Sequence, residues 1–250
     1  QTPNLFVRAT NYDLTKETIT STDRLKYPPL EYNTEYQRAS TPCRPMFYAV
    51  KHKTNNTEDV MSAIRTCLLE TIDDYEELVI QKKRVAISLR YNAEPINLYS
   101  IFSWDQFNSS NPEMKDITSS FKEMVKVNEP EIINNTKLLV EYLAERFNIP
   151  VGKDEHNYKP SAIITQYLMD KLYGYGIDGV IFPSTKVKGK ELNVALNPAS
   201  SDAKLYVSKV LDCEYKSGGI VEIQRRGDVV EGTTEINFNE EVNIPIDLNK

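Results

Sequence analysis

Ser184 is the next-to-last residue of the sequence GIDGVIFPST, which runs from 176 to 185. The apolar run from Val180 to Phe182 predicts a buried strand, because a short apolar stretch bounded by glycine and proline is typical of strands inside a sheet. Such a strand would carry Ser184 to its end, where a hydroxyl can donate or accept a hydrogen bond. Because many sheets place their chemistry at the ends of strands, Ser184 is a candidate functional residue.

Familiar catalytic signatures are absent from the sequence, including GxSxG, the P-loop, GxGxxG and HExxH. The chain has two histidines, His52 and His156, and both lie in predicted polar loops, which argues against a histidine-based triad and against a metal site. Any catalysis must therefore use carboxylate, guanidinium, hydroxyl and aromatic groups.

Glu70 is a candidate carboxylate on a predicted helix. The helix is expected to begin at Thr57, whose hydroxyl would act as the cap, and the acids Glu58 and Asp59 suit the positive end of a helix dipole. One face of the helix is apolar, with Val60, Ile64, Cys67, Leu68 and Thr71. Glu70 falls on the shoulder of that face, so its carboxylate can face a cleft while its neighbours are buried.

Composition restricts the classes of partner. The 250 residues include 36 acidic and 30 basic side chains, a net charge of -6, so we expect no nucleic-acid partner. No apolar stretch approaches the length of a bilayer span, so no membrane partner is expected. Three cysteines without CxxC spacing argue against a disulfide framework and favour a reducing compartment, and the predicted location is the cytoplasm.

The elements that would position these residues follow from hydrophobic periodicity and turn signals. Strands are predicted at 5–9, 45–50, 192–196 and 205–207, with two more in 76–101 and others up to about 239. The segment 113–147 predicts one or two helices, with Ile132, Ile133, Leu139, Val140 and Leu143 as the apolar side of the second. A further helix from Lys159 to Gly174 would pack inward through Ile163, Ile164, Tyr167, Leu168 and Leu172.

Short strands mixed with helices, without regular βαβ alternation, predict an α+β fold. We expect one domain over 1–250 with a twisted, mostly antiparallel sheet, flanking helices and a polar C-terminal tail from about 239 to 250. The basic residues Lys82, Lys83 and Arg84 are interpreted as the solvent-exposed start of a strand. Trp104, the one tryptophan, is expected to anchor a core or a lid.

Three segments resemble the RES-domain family. YQRASTPCRPMFYA at 36–49 is similar to the family's Arg segment, AIRTCLLE at 63–70 to its Glu helix, and GIDGVIFPS with LNVAL at 192–196 to its Ser segment. The family is named after Arg, Glu and Ser, which would be Arg38, Glu70 and Ser184 here. The core motifs span about 5–73 and 159–210, with an insertion at about 74–158.

The resemblance implies an ADP-ribosyltransferase-like fold and an enzyme that consumes NAD⁺, commonly the toxin of a toxin–antitoxin pair. NAD⁺ would be the substrate, with no cofactor and no metal, and a protein antitoxin would be a partner. Arg38 would clamp the pyrophosphate, Tyr48 would stack on nicotinamide or its ribose, and Ser184 would orient the ribose or the amide. Glu70 would stabilise the developing positive charge, and Arg8 would add a second phosphate contact. The expected NAD⁺ cleft is lined by Arg38, Tyr48, Glu70 and Ser184.

Alternatives remain open at this stage. The acceptor can be water, phosphate or a protein side chain, which separates a glycohydrolase from a phosphorylase and a protein ADP-ribosyltransferase. Ala39, Ser40 and Cys43 stand where the family has an aromatic residue, Asn and Gly, which motivates a non-catalytic nucleotide-binding or interaction module as a different class. Glu58 or a helical neighbour is the alternative acid.

Overall fold

The structure, a computed structural model, describes residues 4–53, 56–103, 106, 109, 111–149 and 155–250, so Trp104 lies outside the described residues. The strands are β1 Leu5–Tyr12, β2 Phe47–His52, β3 Arg84–Asn92, β4 Leu98–Ser100, β5 Gly179–Pro183, β6 Leu192–Leu196, β7 Leu205–Lys216, β8 Ile220–Val229 and β9 Ile236–Asp247. The α-helices are α1 Thr57–Thr71, α2 Tyr75–Ile80, α3 Pro112–Val127, α4 Pro130–Asn148, α5 Lys159–Leu172 and α6 Pro198–Lys204.

The chain divides into two compact units. The first contains Gln1–Lys26, Ala49–Pro95 and Asp202–Lys250, and the second contains Tyr27–Tyr48 and Ile96–Ser201. The expected insertion at 74–158 contributes α2 and β3 to the first unit and β4, α3 and α4 to the second. Among the described residues, no helix has the length and apolarity to cross a bilayer.

The first unit contains an antiparallel sheet with the strand order β2-β1-β3-β7-β8-β9. Side chains alternate between the two faces of β1, and Leu5 and Val7 point to the face that α1 covers with Ile64 and Leu68. In the second unit β5 pairs antiparallel with β6 and parallel with β4. The prediction of an α+β fold with a mostly antiparallel sheet is confirmed.

Helix α1 begins one residue earlier than a threonine cap would allow. The side chain of Asn56 accepts hydrogen bonds from the backbone N–H groups of Glu58 and Asp59, at 2.9 and 3.2 Å. Asn56 is therefore the cap, and Thr57 is the first helical residue. Asparagine and threonine are both good caps, so the sequence leaves this choice to local geometry.

Two of the predicted helix faces were partly wrong. In α4 the buried side chains include Val140 and Leu143, whereas Ile132 and Leu139 are about half exposed. In α5 the exposed residues include Ile163 and Tyr167, and the buried ones are Ser161, Ala162, Thr165, Gln166 and Met169. Polar side chains occupy part of the inner face of α5. A prediction from hydrophobicity alone therefore assigned Ile163 and Tyr167 to the wrong face of the helix.

Two further expectations are corrected near the strands. The region 76–101 does contain two strands, but it also contains α2, which begins with Asp74 as its cap. The polar segment 239–250, expected as a tail, forms most of strand β9, because its alternating residues Val242, Ile244 and Ile246 have a core to cover. Alternation with period two predicts a strand even when every second residue is polar.

A carboxylate buried between four strands organises the first unit. Asp212 on β7 is 1% exposed and accepts a hydrogen bond from Tyr12 Oη on β1 at 2.6 Å. Its oxygens also accept from Arg84 Nε on β3 at 3.0 Å and from Arg225 Nε on β8 at 2.9 Å. Arg84 thus forms an internal ion pair with Asp212. The interpretation of Arg84 as part of a solvent-exposed strand start is therefore wrong.

We predict that Asp212→Asn lowers the free energy of unfolding by about 3 kcal/mol, because removing one member of a buried ion pair leaves uncompensated charge behind. Equilibrium unfolding in urea, followed by circular dichroism, measures the change. Asp228→Asn is the matched control, since Asp228 pairs with Lys209 at the surface and should cost less than about 1 kcal/mol. Equal losses in the two variants would contradict the central role of Asp212.

Candidate functional site

The segment from Arg38 to Tyr48 is closed by the hydroxyl of Tyr48. Tyr48 Oη accepts a hydrogen bond from Ala39 N at 2.8 Å and lies 3.0 Å from Ser40 Oγ. Ser40 Oγ in turn accepts from Met46 N at 3.0 Å. Burial raises the pKa of Tyr48 to about 12, so its hydroxyl stays protonated at neutral pH. Tyr48, the predicted stacking residue, therefore also has a structural role.

Ala39 and Ser40 are both bonded within the folded loop. Ala39 is fully buried, and its carbonyl accepts a hydrogen bond from Gln166 Nε2 of α5 at 2.7 Å. Ser40 is also fully buried and bridges the two ends of the loop. Both residues serve the packing of this loop.

Arg38 lies at the C-terminal end of α4. Its Nη1 donates hydrogen bonds to the carbonyl oxygens of Phe147 and Ile149, and its guanidinium lies 5.4 Å from the centre of the Tyr158 ring. A cation at the C-terminal end of a helix is favourable, because the last carbonyls carry the negative end of the helix dipole. The partly buried Arg38 is therefore more than a surface loop charge.

A second cation and a second ring lie on the same chain segments. Lys159, the first residue of α5, has its Nζ 5.8 Å from the centre of the Tyr36 ring. Tyr36 precedes Arg38 by two residues, and Lys159 directly follows Tyr158. Cations near aromatic faces gain electrostatic attraction, so these two pairs stabilise the segment that carries Arg38.

Ser184 directly follows the buried strand β5, as predicted. All five residues of β5 are buried, and Ser184 itself is 1% exposed. Its backbone N–H donates to Glu191 O at 2.9 Å, and its carbonyl accepts from Gly189 N at 2.8 Å. These two bonds fix the backbone of Ser184 at the start of the connection to β6. Its ligand-binding role stays a prediction.

One hydrophobic cluster joins the two segments. Ala39, Met46 and Tyr48 from the Arg38 segment pack in the same cluster as Phe182 of β5 and Ala195 of β6. The structure thus packs Tyr48, a neighbour of Arg38 and the strand that precedes Ser184 into one cluster, although these residues are far apart in the sequence.

Sequence reasoning missed the role of Asp178. This residue is 4% exposed, and its carboxylate accepts from Asn97 N at 2.8 Å and from Ser200 Oγ at 2.6 Å. Asp178 therefore fixes the start of β5. The available signal was an acid inside the GIDG sequence, directly before an apolar strand.

Gly179 is required by a close backbone approach. A Cβ at this position would meet the carbonyl oxygen of Ala195 at 2.2 Å, which is far inside van der Waals contact. The second glycine of GIDG therefore allows β5 and β6 to pair.

Glu70 and Arg8 belong to the first unit. Glu70 is partly exposed near the end of α1, consistent with the predicted shoulder position. Arg8 lies on β1 and donates from Nε to Lys26 O at 3.1 Å. Burial raises the pKa of the Cys67 thiol to about 12, an effect that Arg8 opposes and Glu70 reinforces. The charges of Arg8 and Glu70 therefore both influence the pKa of Cys67.

The alternative acid, Glu58, lies in the first turn of α1, where its backbone N–H binds the Asn56 cap. Acids in that turn are explained by the helix dipole alone. Glu70 lies in the last turn of α1, where a carboxylate opposes the dipole.

The candidate residues are thus distributed over the two units: Arg38, Tyr48 and Ser184 in the second, Arg8 and Glu70 in the first. Within the described ranges, no group of three or more His, Cys, Asp and Glu side chains is placed to hold a metal ion. No protein-family model matches the chain, and the search of curated proteins returned no significant match.

Cys43 occupies a backbone position that suits glycine. Its φ of 61° lies in the left-handed region, and its N–H donates to Asn33 O at 2.8 Å, which holds the turn in place. A side chain at such a position costs about 1–2 kcal/mol in local strain, which glycine avoids at some cost in chain entropy.

We predict that Cys43→Gly raises the free energy of unfolding by about 0.5–1 kcal/mol, the difference between relieved strain and added chain entropy. Thermal unfolding under reducing conditions measures it. Cys43→Ser is the control, because it removes the thiol and keeps the backbone strain. A serine variant as stabilised as the glycine variant would assign the effect to the thiol.

We predict that Tyr48→Phe lowers the free energy of unfolding by about 1–3 kcal/mol, because it removes the acceptor of the Ala39 N–H and a partner of Ser40. Urea unfolding measures the loss. Tyr99→Phe is the matched control, since Tyr99 packs against the same cluster from β4. If both variants unfold like the wild type, the hydroxyl of Tyr48 does not hold the loop.

Proposed function

We propose that the protein cleaves the bond between nicotinamide and ribose in NAD⁺, with an ADP-ribosyltransferase-like fold. The observation that supports this best is the shared cluster of Ala39, Met46, Tyr48 and Phe182, because it gives the Arg and Ser motifs a common support. The remaining support is the resemblance of the three motifs to the RES-domain family.

The chemistry needs few groups. Nicotinamide leaves NAD⁺ as a neutral molecule from a cationic precursor, so no general acid is required, in contrast to ordinary glycoside hydrolysis with two carboxylates. One carboxylate, Glu70, would hold the ribose hydroxyls and stabilise the positive charge that develops on the ribose.

The other residues bind the substrate in this proposal. Arg38 would bind the pyrophosphate through its planar fork, which suits phosphate oxygens better than an ammonium group does. Among the described residues, its contacts are two neutral carbonyl oxygens and a ring, which bring no negative charge to the guanidinium. Tyr48 would offer its ring while its hydroxyl holds the loop, and Ser184 would orient the ribose or the amide.

The acceptor determines the class of the enzyme. Transfer to water makes it a glycohydrolase, transfer to phosphate a phosphorylase, and transfer to a side chain a protein ADP-ribosyltransferase. We place the activity in the cytoplasm, as the toxin of a toxin–antitoxin pair, with a protein antitoxin as its partner. Product analysis with labelled NAD⁺ separates the three acceptors.

A second candidate is a nucleotide-binding or interaction module without turnover. The observation that favours it is the use of Ala39 and Ser40 for packing, where the family pattern has an aromatic residue and Asn. Such a module would be stabilised by NAD⁺ without releasing nicotinamide.

The test of cleavage is nicotinamide release from NAD⁺ by the purified protein, with and without phosphate. Glu70→Gln should reduce kcat by about 10²–10³, the size expected when an electrostatic contact to the transition state is lost. Glu58→Gln on the same helix is the matched control and should retain activity. Arg38→Lys should lower kcat/KM by at least about tenfold, since it keeps the charge and loses the fork.

Two outcomes would overturn parts of the proposal. Loss of activity in Glu58→Gln, with Glu70→Gln active, would move the acid to Glu58. Absence of nicotinamide release by the folded wild-type protein would reject cleavage, and ligand-induced stabilisation by NAD⁺ would then support the binding module.

A further inference from the structure

The connection between β5 and β6, residues 185–190, carries three lysines, and we call it the lysine loop. Lys186, Lys188 and Lys190 stand at alternate positions of its sequence, TKVKGK, and all three are exposed. The loop itself contains no acidic residue. Glu191, the next acid along the chain, is 5% exposed, so the exposed side chains of the loop carry only positive charge.

Several other surface lysines differ from these three, because each pairs with an acid three residues earlier in the chain. Such pairs are Lys16 with Asp13, Lys26 with Asp23, Lys126 with Glu123 and Lys250 with Asp247, at 2.7–3.8 Å from Nζ to the carboxylate. Among the described residues, no carboxylate forms an ion pair with a lysine of the loop. The lysine loop is therefore an uncompensated cationic patch on a chain whose net charge is -6.

Hydrogen bonds fix the backbone of the lysine loop. Ser184 O accepts from Gly189 N at 2.8 Å, and Lys190 N donates to Val187 O at 3.1 Å. Asn111, the cap of α3, donates from Nδ2 to Lys190 O at 2.8 Å. The backbone that carries the lysines is therefore ordered before any ligand binds, which reduces the entropy lost on binding.

The chemistry of the lysine loop favours carboxylates over nucleic acid. A lysine ammonium is a compact charge on a flexible stem, so it can pair with carboxylates of varied spacing. The loop has no aromatic residue on which a base could stack, and no arginine. A DNA duplex, with one charge per about 1.7 Å of its axis, would also be repelled by the acidic excess of the chain.

We propose that the lysine loop is the docking site for an acidic, extended segment of a protein partner. Carboxylates along such a segment would pair with Lys186, Lys188 and Lys190, whereas the net negative charge of the chain disfavours the same segment elsewhere. Charge complementarity of this kind orients a partner and speeds its encounter more than it raises affinity. The inference rests on residues of the second unit and does not require NAD⁺ cleavage.

The test is a titration of the isotope-labelled wild-type protein with a short synthetic peptide that alternates glutamate and serine, followed by amide chemical shifts. In a low-salt buffer we expect saturable binding with a Kd of about 1 mM or below, as a few exposed ion pairs allow. The largest shifts should fall on the amides of residues 185–190. Absence of saturable binding, or shifts centred on another segment, would overturn the proposal.

A variant with Lys186→Gln, Lys188→Gln and Lys190→Gln combined should bind the peptide about 5–10-fold more weakly, since each exposed ion pair contributes about a factor of two. The three side chains are exposed, and the hydrogen bonds of the loop come from its backbone, so the variant should fold. The corresponding variant with three arginines keeps the charge and should bind within about twofold of the wild type. Loss of binding in the arginine variant would contradict charge pairing as the basis of docking.

The matched control combines Lys16→Gln, Lys126→Gln and Lys250→Gln. These lysines are also exposed, each pairs with an acid of the chain, and their replacement changes the net charge by the same amount. The control should bind the peptide more tightly than the glutamine variant of the loop, by about 5–10-fold. Equal affinities of the two variants would reduce the effect to net charge and overturn the site.

A DNA duplex separates the two classes of macromolecule in the same titration. We expect the duplex to bind the wild-type protein more weakly than the peptide does. Tighter binding of the duplex, lost in the glutamine variant of the loop, would make the lysine loop a nucleic-acid site and would overturn the proposal of an acidic protein partner.

Discussion

The carboxylate of Asp212 is the interaction on which the first unit depends most. It accepts hydrogen bonds from side chains on β1, β3 and β8, and it does so from a position with almost no contact with water. Arg225 extends the arrangement to β9, because its guanidinium lies 4.5 Å from the centre of the Phe238 ring. Backbone pairing alone leaves the register of a strand open, whereas a buried ion can meet its partners in only one register. The position of Arg8 on β1 follows from that register.

Much of the fold could be predicted from the sequence, because strands such as 179–183 and 192–196 combine apolar runs with glycine and proline at their ends. Helix rotation was less predictable. Gln166 faces inward because the carbonyl of Ala39, more than a hundred residues away in the sequence, needs a donor. Local hydrophobicity contains no information about such a partner, so Ile163 and Tyr167 were assigned to the wrong side.

In the candidate site, too, some features follow from local sequence and others depend on tertiary packing. The place of Ser184 at the end of a buried strand follows from local sequence, and so does the shoulder position of Glu70 on α1. The contacts of Arg38 with the end of α4, and the bond from Ala39 to Tyr48 Oη, depend on tertiary packing. Asp178 and Asp212 were not recognised, because an isolated acid gives no sign of the partners that will surround it. Buried polar residues are specified by geometry, which a single sequence does not contain.

The position of Arg38 at the end of α4 has a consequence for the order of folding. The carbonyls of Phe147, in the last turn of α4, and of Ile149, its C-cap, accept hydrogen bonds from a side chain that precedes them by 109 and 111 residues. Closing so long a loop is entropically costly, and contacts of this sequence separation form late in most small proteins. The helix can therefore start forming from its own sequence, but its final turn becomes stable only after the Arg38 segment has docked. A peptide that contains α4 alone would keep a frayed end.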